Sequence, residues 1–242
     1  MRRLAGTVAL VTGASSGFGW AIARSVAAEG AAVALVARRA ERLRALAEQI
    51  GADGGRAIAC PADVGSETEI LAAVEQAETS LGPIDLLVNN AGTNSGARSI
   101  AETDSGVWRE LLEVDLTSAF LFSKGVLPGM ISRGRGTVIN IASRAASHPS
   151  LQAGVAYSTA KRGMEALTAV TNEEGNPYNV RASVVNPGEG NTPILDLRPE
   201  PPDEVQRSAM IQPEDLANLV VLIASLPQAV TVESVELRPT RR

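Results

Sequence analysis

The chain has 242 residues, a net charge of −5 at pH 7 and 45 % hydrophobic residues. The hydrophobic share excludes a disordered chain, and the acidic balance argues against nucleic acid or an anionic membrane as partner. The single cysteine, Cys60, cannot form an internal disulfide, so a cytoplasmic location is expected. The sequence contains no recognisable signal peptide, no membrane-length apolar run and no cluster with metal-ligand spacing.

Short β-branched runs alternate with longer alanine-rich runs along the chain. This alternation predicts an α/β fold, a three-layer doubly wound parallel sheet (Rossmann-like) of about seven strands with helices on both faces. We expect one domain over residues 1–242. The predicted strands are 7–12, 32–37, 56–60, 84–89, 136–141, 180–185 and 232–237. The predicted helices are 17–29, 40–50, 67–81, 103–131, 155–174 and 213–224.

A glycine-rich loop follows the first predicted strand and opens the first helix. It contains Gly13, Gly17 and Gly19, and its other predicted cofactor contacts are Ser15, Ser16 and Phe18. Between a strand and a helix, such glycines let the backbone approach a pyrophosphate, and the helix N-terminus supplies amide donors. The spacing differs from the usual dinucleotide fingerprint. The alternative is a tight turn without a ligand.

Two arginines, Arg38 and Arg39, follow the second predicted strand, where NAD-preferring sheets place an acidic residue. A guanidinium can bind a 2′-phosphate with two hydrogen bonds. The pair therefore favours NADP(H) over NAD(H). The alternative is a solvated helix start, because charged residues continue along the following helix.

The third and fourth predicted strands end in further candidate cofactor residues. Asp63 and Val64 follow the third strand, where Asp63 can accept a hydrogen bond from an adenine amino group or cap the next helix. Asn90, Ala91 and Gly92 end the fourth strand. Small residues there let the backbone approach a cofactor, and the asparagine can brace adjoining strands. An ordinary Asn/Gly turn is the alternative.

Ser143, Tyr157 and Lys161 can form one proton-transfer device. Tyr157 and Lys161 are four residues apart, which places them on one face of a helix. An ammonium beside the phenol favours the phenolate, so we expect Lys161 to lower the pKa of Tyr157. Ser143 follows a predicted strand, where its hydroxyl can bond a substrate oxygen. Taken alone, Tyr157 and Lys161 are better explained as ordinary helix residues. The upstream serine and the glycine-rich loop reverse that preference.

In order and spacing, these motifs resemble the short-chain dehydrogenase/reductase family. The matching residues cover nearly the whole chain and include Pro187, Gly188 and Thr192 after the sixth predicted strand. The resemblance implies an oxidoreductase that moves a hydride between NADP(H) and a small-molecule carbonyl or alcohol. It implies that Tyr157 is the acid/base and that Lys161 holds the nicotinamide ribose. It also implies a homotetramer or homodimer. By the same resemblance, Pro187, Gly188 and Thr192 contact the cofactor.

Three positions depart from the family pattern. The family commonly has asparagine, which supports a water leading to the lysine, where this chain has Asp115. The Asp115 carboxylate can pair with Lys161, which would disturb the relay through that water. If the backbone carbonyl of residue 115 is what holds the water, an aspartate serves as well as an asparagine. NADP-preferring members often carry a basic residue at the position of Ser16. Gly190 replaces a usual aliphatic residue, which is expected to loosen its loop.

The substrate is not identifiable from the sequence. His148 and Arg144 lie in the predicted pocket loop, where Arg144 either clamps an acidic substrate or faces solvent. The segment 196–207 is predicted to form a mobile lid or a plain surface loop. Two other functions fit the same motifs: an epimerase or dehydratase that uses bound NADP(H), and a non-catalytic dinucleotide sensor.

Overall fold

A parallel sheet of seven strands forms the centre of the computed structural model, which describes residues 2–198 and 200–240. The strand order is β3-β2-β1-β4-β5-β6-β7. The direction of winding reverses between β1 and β4, which is where sheets of this kind bind ligands. The strands are β1 Val8–Thr12, β2 Ala32–Ala37, β3 Arg56–Pro61, β4 Leu86–Asn89, β5 Gly136–Ile141, β6 Val180–Pro187 and β7 Ser234–Leu237.

Helices cover both faces of the sheet, and the predicted fold class is confirmed. They are α1 Gly17–Ala28, α2 Ala40–Ala52, α3 Glu67–Leu81, α4 Ser105–Leu112, α5 Ser118–Arg133, α6 Arg144–Ser147, α7 Val155–Gly175, α8 Glu204–Ser208 and α9 Pro213–Ser225. Two 3₁₀ turns, Asn176–Tyr178 and Pro193–Leu197, and one π turn, Glu113–Thr117, join them.

The two faces of the sheet have separate cores, because successive strand residues point to opposite sides. Ala9 and Val11 of β1 pack with α1, α2 and α9, whereas Leu10 packs with α3 and α5. α7 lies beside α5 and packs against β6. Because aromatic residues are only 3 % of the chain, small aliphatic side chains fill both cores.

Arg181 of β6 is the largest fully buried side chain of the described residues. Its guanidinium donates hydrogen bonds to backbone carbonyls at the end of α9 and in the segment leading to β7. The acceptors are Ile223, Ala224, Leu226, Pro227 and Val230. The arginine therefore satisfies carbonyls that the end of a helix leaves without partners.

The helix predicted over 103–131 runs from Ser105 to Arg133, but it contains a π turn that the sequence does not predict. The π turn Glu113–Thr117 separates α4 from α5, and such turns cannot be read from a 3.6-residue period. The strand predicted over 84–89 begins at Leu86, and that over 180–185 continues to Pro187. The helices α6 and α8 and the 3₁₀ turn Pro193–Leu197 are too short to show a hydrophobic period.

Candidate active site

A single cavity of about 1050 Å³ runs along the carboxyl ends of the strands. It is lined by every residue predicted to bind cofactor or to act in catalysis except Gly19 and Asp115. Both exceptions are buried. The cavity therefore joins the glycine-rich loop, the second-strand arginines and the Ser143, Tyr157, Lys161 set in one continuous space.

The glycine-rich loop requires glycine at two of its positions. Gly13 has a φ of +67°, a conformation that L residues with side chains rarely adopt. A Cβ on Gly19 would lie 2.4 Å from the Gly13 carbonyl oxygen. The turn from β1 into α1 is thus drawn tight enough for its backbone to face the cavity. The arrangement fits a pyrophosphate at the start of α1.

Thr12 and Asn90 lock the ends of β1 and β4 together beside this loop. The Thr12 hydroxyl oxygen accepts hydrogen bonds from the Asn90 and Ala91 backbone N–H groups, each 2.9 Å long. The Asn90 amide donates to the Thr12 carbonyl oxygen over 2.9 Å. Farther along, Asn89 donates to Asn140 of β5. The predicted bracing role of the asparagines agrees with these contacts.

The two arginines after β2 are placed differently. Arg39 folds back onto the glycine-rich loop, where it donates to the Ser15 hydroxyl over 2.8 Å and to the Ser16 hydroxyl over 2.7 Å. The Arg39 guanidinium therefore lies over Ser16, the loop position at which NADP-preferring family members often carry a basic residue. Arg38 is exposed and lines the cavity beside Ala37. Both charges face the region beyond the β2 end.

Asp63 and Val64 follow β3 and line the same region. Asp63 accepts a hydrogen bond from the Gly65 N–H, and Ser66 is the residue that caps α3. The capping alternative for Asp63 is therefore wrong, because Ser66 takes that role. Asp63 Oδ1 accepts this bond from Gly65, and the residue itself lines the cavity.

Ser143 stands at the end of β5 and begins α6. Its Oγ accepts a hydrogen bond of 3.1 Å from the Ala145 N–H. With its oxygen used as acceptor, the hydroxyl hydrogen is available to donate into the cavity. This orientation suits a substrate oxygen that gains negative charge.

Tyr157 and Lys161 lie one turn apart on α7, as predicted. The Lys161 ammonium is 5.5 Å from the centre of the Tyr157 ring. It pairs with Asp115 at 3.0 Å and donates to the Ile141 carbonyl oxygen over 3.3 Å. The pairing of Asp115 with Lys161, which the sequence left open, is present.

Asp115 reaches this position from the π turn, buried beneath the loop that follows β4. The Thr93 N–H donates to one of its carboxylate oxygens over 3.2 Å. A Cβ on Gly92 would lie 2.7 Å from the other carboxylate oxygen. Only a glycine lets the loop pass directly over the ion pair. The π turn supplies the change of helical phase that aims Asp115 at Lys161.

The electrostatic balance at Tyr157 differs from the prediction. Burial raises the pKa of Tyr157, Lys161 lowers it, and Asp115 raises it again. Burial also lowers the pKa of Lys161, but Asp115 and Tyr157 outweigh that effect and leave the pKa raised. Lys161 thus lowers the pKa of Tyr157, as predicted, but burial outweighs this effect and Asp115 opposes it, so the net pKa of Tyr157 is raised.

The segment after β6 closes the cavity over the glycine-rich loop. Thr192 is buried, and a Cβ on Gly17 would lie 3.1 Å from its Cβ. Gly188 lies beneath, donating to the Leu237 carbonyl oxygen over 2.7 Å. Gly190 faces Phe18 so closely that a Cβ would come within 2.1 Å of the ring. The ring thus fills the space of the missing aliphatic side chain, which removes the reason to expect a loosened loop.

Arg144 and His148 both turn toward Glu236 of β7. Arg144 donates to the carboxylate over 3.1 Å, and His148 Nδ1 lies 3.5 Å from it. Both residues still line the cavity. Arg144 thus lies in the cavity wall with one hydrogen bond to a carboxylate, and its clamping of an acidic substrate stays a prediction.

Arg198 is the principal cavity residue that the sequence reasoning did not name. It ends the 3₁₀ turn Pro193–Leu197 and lines the cavity together with Tyr157. The segment predicted as a lid contains it, but a composition argument cannot select one arginine among several. Pro199, within that segment, lies outside the described residues.

The chain is similar to known dehydrogenases and reductases along nearly its whole length. The family described as short chain dehydrogenase matches residues 7–202. Glycine betaine reductase ATRR of Emericella nidulans is 33% identical over 98% of this chain, which spans only 19% of that protein. Trans-4-hydroxycyclohexanecarboxylate dehydrogenase of Sinomonas cyclohexanicum is 34% identical over 92% of this chain and 87% of its own. A metagenomic short-chain oxidoreductase crystallised with NADP has 34% identity and a TM-score of 0.86, covering 99% of this chain and 100% of its own.

Proposed function

This chain belongs to the short-chain dehydrogenase/reductase family, and we propose that it is an NADP(H)-dependent oxidoreductase acting on a small carbonyl or alcohol. One observation carries the proposal: Ser143, Tyr157 and Lys161 meet in the cavity that the glycine-rich loop also lines. A dinucleotide at that loop would extend toward this set along the strand ends.

The glycine-rich loop, Arg38 and Arg39 would hold NADPH, which would supply the hydride for the carbonyl carbon when bound. The Ser143 hydroxyl donates a hydrogen bond to the carbonyl oxygen and stabilises the negative charge that develops there. Tyr157 transfers its proton to the same oxygen as the alcohol forms. Lys161 would hold the nicotinamide ribose and stabilise the resulting phenolate. In alcohol oxidation the phenolate takes the proton back.

The raised pKa of Tyr157 keeps the phenol protonated at neutral pH. Reduction requires the protonated phenol, which a raised pKa preserves as pH increases. Oxidation requires the phenolate, whose population grows only as pH approaches that pKa. We expect carbonyl reduction to persist through mildly alkaline pH and alcohol oxidation to rise over the same range.

The preference for NADP(H) rests on Arg38 and Arg39. Arg39 is held against Ser15 and Ser16 at the end of β2, and Arg38 is exposed beside it. The two residues directly after β2 are arginines, where a carboxylate would receive a ribose 2′-hydroxyl or repel a 2′-phosphate. Two guanidinium groups and two hydroxyls suit a phosphate better than a hydroxyl.

The proposed assembly is a homodimer or homotetramer. Phe120 of α5 and Val170 of α7 expose 48% and 58% of their surfaces on two long helices, and apolar side chains of this kind suit an interface. Light scattering that returns the 25.1 kDa mass of one chain would reject it. In the described part of the chain, no helix has the length and apolar character needed to cross a membrane.

Tyr157→Phe tests the proposed function most directly. We expect a panel of ketones and aldehydes to contain substrates whose reduction consumes NADPH, as read from its near-ultraviolet absorbance. The variant should lose activity by about 10²- to 10⁴-fold, because a positioned acid is removed while the ring remains. Tyr178→Phe is the matched control, since Tyr178 is half exposed and lies outside the cavity lining.

Three results would overturn parts of this proposal. A nearly normal rate for Tyr157→Phe would show that Tyr157 is not the acid. Substrate conversion without net loss of NADPH would select an epimerase or dehydratase. Tight NADPH binding with no conversion of any substrate would select a sensor.

A further inference from the structure

Arg198 brings a positive charge to the substrate side of the cavity. It follows the 3₁₀ turn Pro193–Leu197, its side chain is 23% exposed, and it lines the same cavity as Tyr157. The positive charge of Arg198 favours the Tyr157 phenolate and so lowers the pKa of Tyr157, against the larger effect of burial.

Arg98 places a second guanidinium directly behind Arg198. It is 9% exposed, donates to the Ala153 carbonyl oxygen over 2.9 Å and to the Leu197 carbonyl oxygen over 3.3 Å. Its Nε is buried and has no partner among the described residues. Burial and the charge of Arg198 together lower the pKa of Arg98. One cation thus lines the cavity, and a second is buried behind it.

The neighbouring carboxylates do not balance these two cations. Glu189 accepts one hydrogen bond from Arg198 Nη1 over 3.1 Å, but 48% of its side chain is exposed to solvent. Of the described residues, Glu189 is the one side-chain partner of Arg198. Asp115 is taken by Lys161, and Glu110 lies exposed at the cavity wall. Desolvated cations in excess of anions favour an anionic ligand.

We propose that the substrate is an oxo or hydroxy acid whose carboxylate binds Arg198 while its carbonyl or hydroxyl oxygen meets Ser143 and Tyr157. This inference rests on the proposed function and names its substrate class. A guanidinium with free Nη2 and Nε donors can bind a carboxylate through two hydrogen bonds. Arg98 is a positioning residue, because it holds Leu197 and the Ala153 loop from behind.

The reaction is balanced as a two-electron reduction. The hydride of NADPH forms a C–H bond at the carbonyl carbon, and the electron pair of the C=O π bond moves to oxygen. That oxygen takes the Tyr157 proton, so an oxo acid, NADPH and one proton give a hydroxy acid and NADP⁺. The carboxylate changes neither charge nor oxidation state, and serves for recognition alone.

Calorimetric binding to the protein with NADP⁺ tests the site without requiring turnover. The probes are 2-oxopentanoate, 3-oxopentanoate and 4-oxopentanoate, each paired with its methyl ester. We expect at least one acid to bind about tenfold or more tightly than its ester. Arg198→Gln should abolish that difference, and Arg198→Lys should restore part of it, since charge-assisted hydrogen bonds are worth about 10- to 100-fold.

Arg207→Gln is the matched control. Its side chain is 22% exposed, it pairs with Asp196 in the same segment, and it does not line the cavity. The control should keep the preference for acids. Equal loss in both glutamine variants would show that the segment has merely loosened, and would overturn the proposal. So would the absence of tighter binding by any acid.

Turnover of the same compounds separates this inference from the proposed function. Reduction of ketones and esters with no preference for acids would keep the oxidoreductase and reject the carboxylate site. Selective binding of acids with no reduction of any probe would keep the site and reject the oxidoreductase. Reduction of the preferred acid by the original protein, with a raised KM and a nearly unchanged kcat in Arg198→Gln, supports both the oxidoreductase activity and the carboxylate site.

Discussion

Asp115→Asn isolates the effect of the buried carboxylate on the catalytic tyrosine. Asparagine has nearly the same shape, so Thr93 and Lys161 keep a neighbour of the same size while one negative charge disappears. Because Asp115 raises the pKa of Tyr157, its neutralisation should lower that pKa. We expect the alkaline limb of carbonyl reduction to move to lower pH, and alcohol oxidation to increase at any pH on that limb.

The geometry sets the size of the effect. Lys161 Nζ lies 5.5 Å from the Tyr157 ring centre and 3.0 Å from Asp115, so the carboxylate is within about 8.5 Å of the ring. At an effective dielectric constant of about 20, one charge at that distance changes the phenolate energy by about 2 kcal/mol. This corresponds to a change of more than tenfold in the ratio of phenolate to phenol.

The assay compares pH profiles of kcat/KM for reduction and oxidation in the original protein and the variant. At neutral pH, where the phenol stays protonated, reduction should change by less than about tenfold, or about 1.4 kcal/mol of barrier. Asp85→Asn is the control, because Asp85 pairs with Arg135 at the opposite end of the strands. If the alkaline limb of the pH profile stays in place or moves to higher pH in Asp115→Asn, while NADPH binding is intact, Asp115 does not raise the pKa of Tyr157.

Two further predictions concern cofactor choice and stability. Arg38→Asp should lower kcat/KM for NADPH by about 10- to 100-fold relative to NADH. Arg42→Asp is the control, because Arg42 lies outside the cavity lining, and it should leave this ratio unchanged. An unchanged ratio in Arg38→Asp would reject a contact between Arg38 and the 2′-phosphate. Arg181→Leu should reduce the free energy of unfolding by about 3 kcal/mol, because several buried carbonyls lose their donor. The exposed Arg135→Leu should cost less than about 1 kcal/mol. Equal losses of unfolding free energy in denaturant titrations would contradict this prediction.

Much of the fold and of the candidate site follows from local sequence. Alternating β-branched and alanine-rich runs predict the layers, and small or polar residues after each run identify the strand ends. Parallel strands bring their carboxyl ends to one edge. Gly13, Arg38, Asn90 and Ser143 are therefore brought together by topology alone, even though each motif is weak by itself.

The remaining features depend on contacts between distant segments. Arg98 meets Leu197 across 99 positions, and nothing near either residue in sequence indicates the other. The interruption between α4 and α5 arises where buried Asp115 turns toward Lys161, so a helical period cannot locate it. The sequence favours a phosphate ligand over a solvated helix start at Arg39, but only the folded chain shows its contact with Ser15.

Phe18 and Gly190 show why a departure from a family pattern cannot be judged at one position. Loss of a side chain at 190 is expected to loosen the loop when considered alone. In the folded chain the Phe18 ring occupies that volume, and Ile211 exchanges backbone hydrogen bonds of 2.9 Å with Glu189 and Asn191 on either side of Gly190. The glycine is required by the phenylalanine.

Asp115 and Arg198 act on Tyr157 in opposite directions, and the proposed substrate changes their balance. Asp115 raises the pKa of Tyr157, while Arg198 lowers it. A carboxylate bound to Arg198 would neutralise the second effect and leave the first. Substrate binding should therefore favour the protonated phenol at the moment when reduction needs its proton. A neutral ketone would leave the charge of Arg198 uncompensated. Recognition of the acid and retention of the catalytic proton thus depend on the same guanidinium.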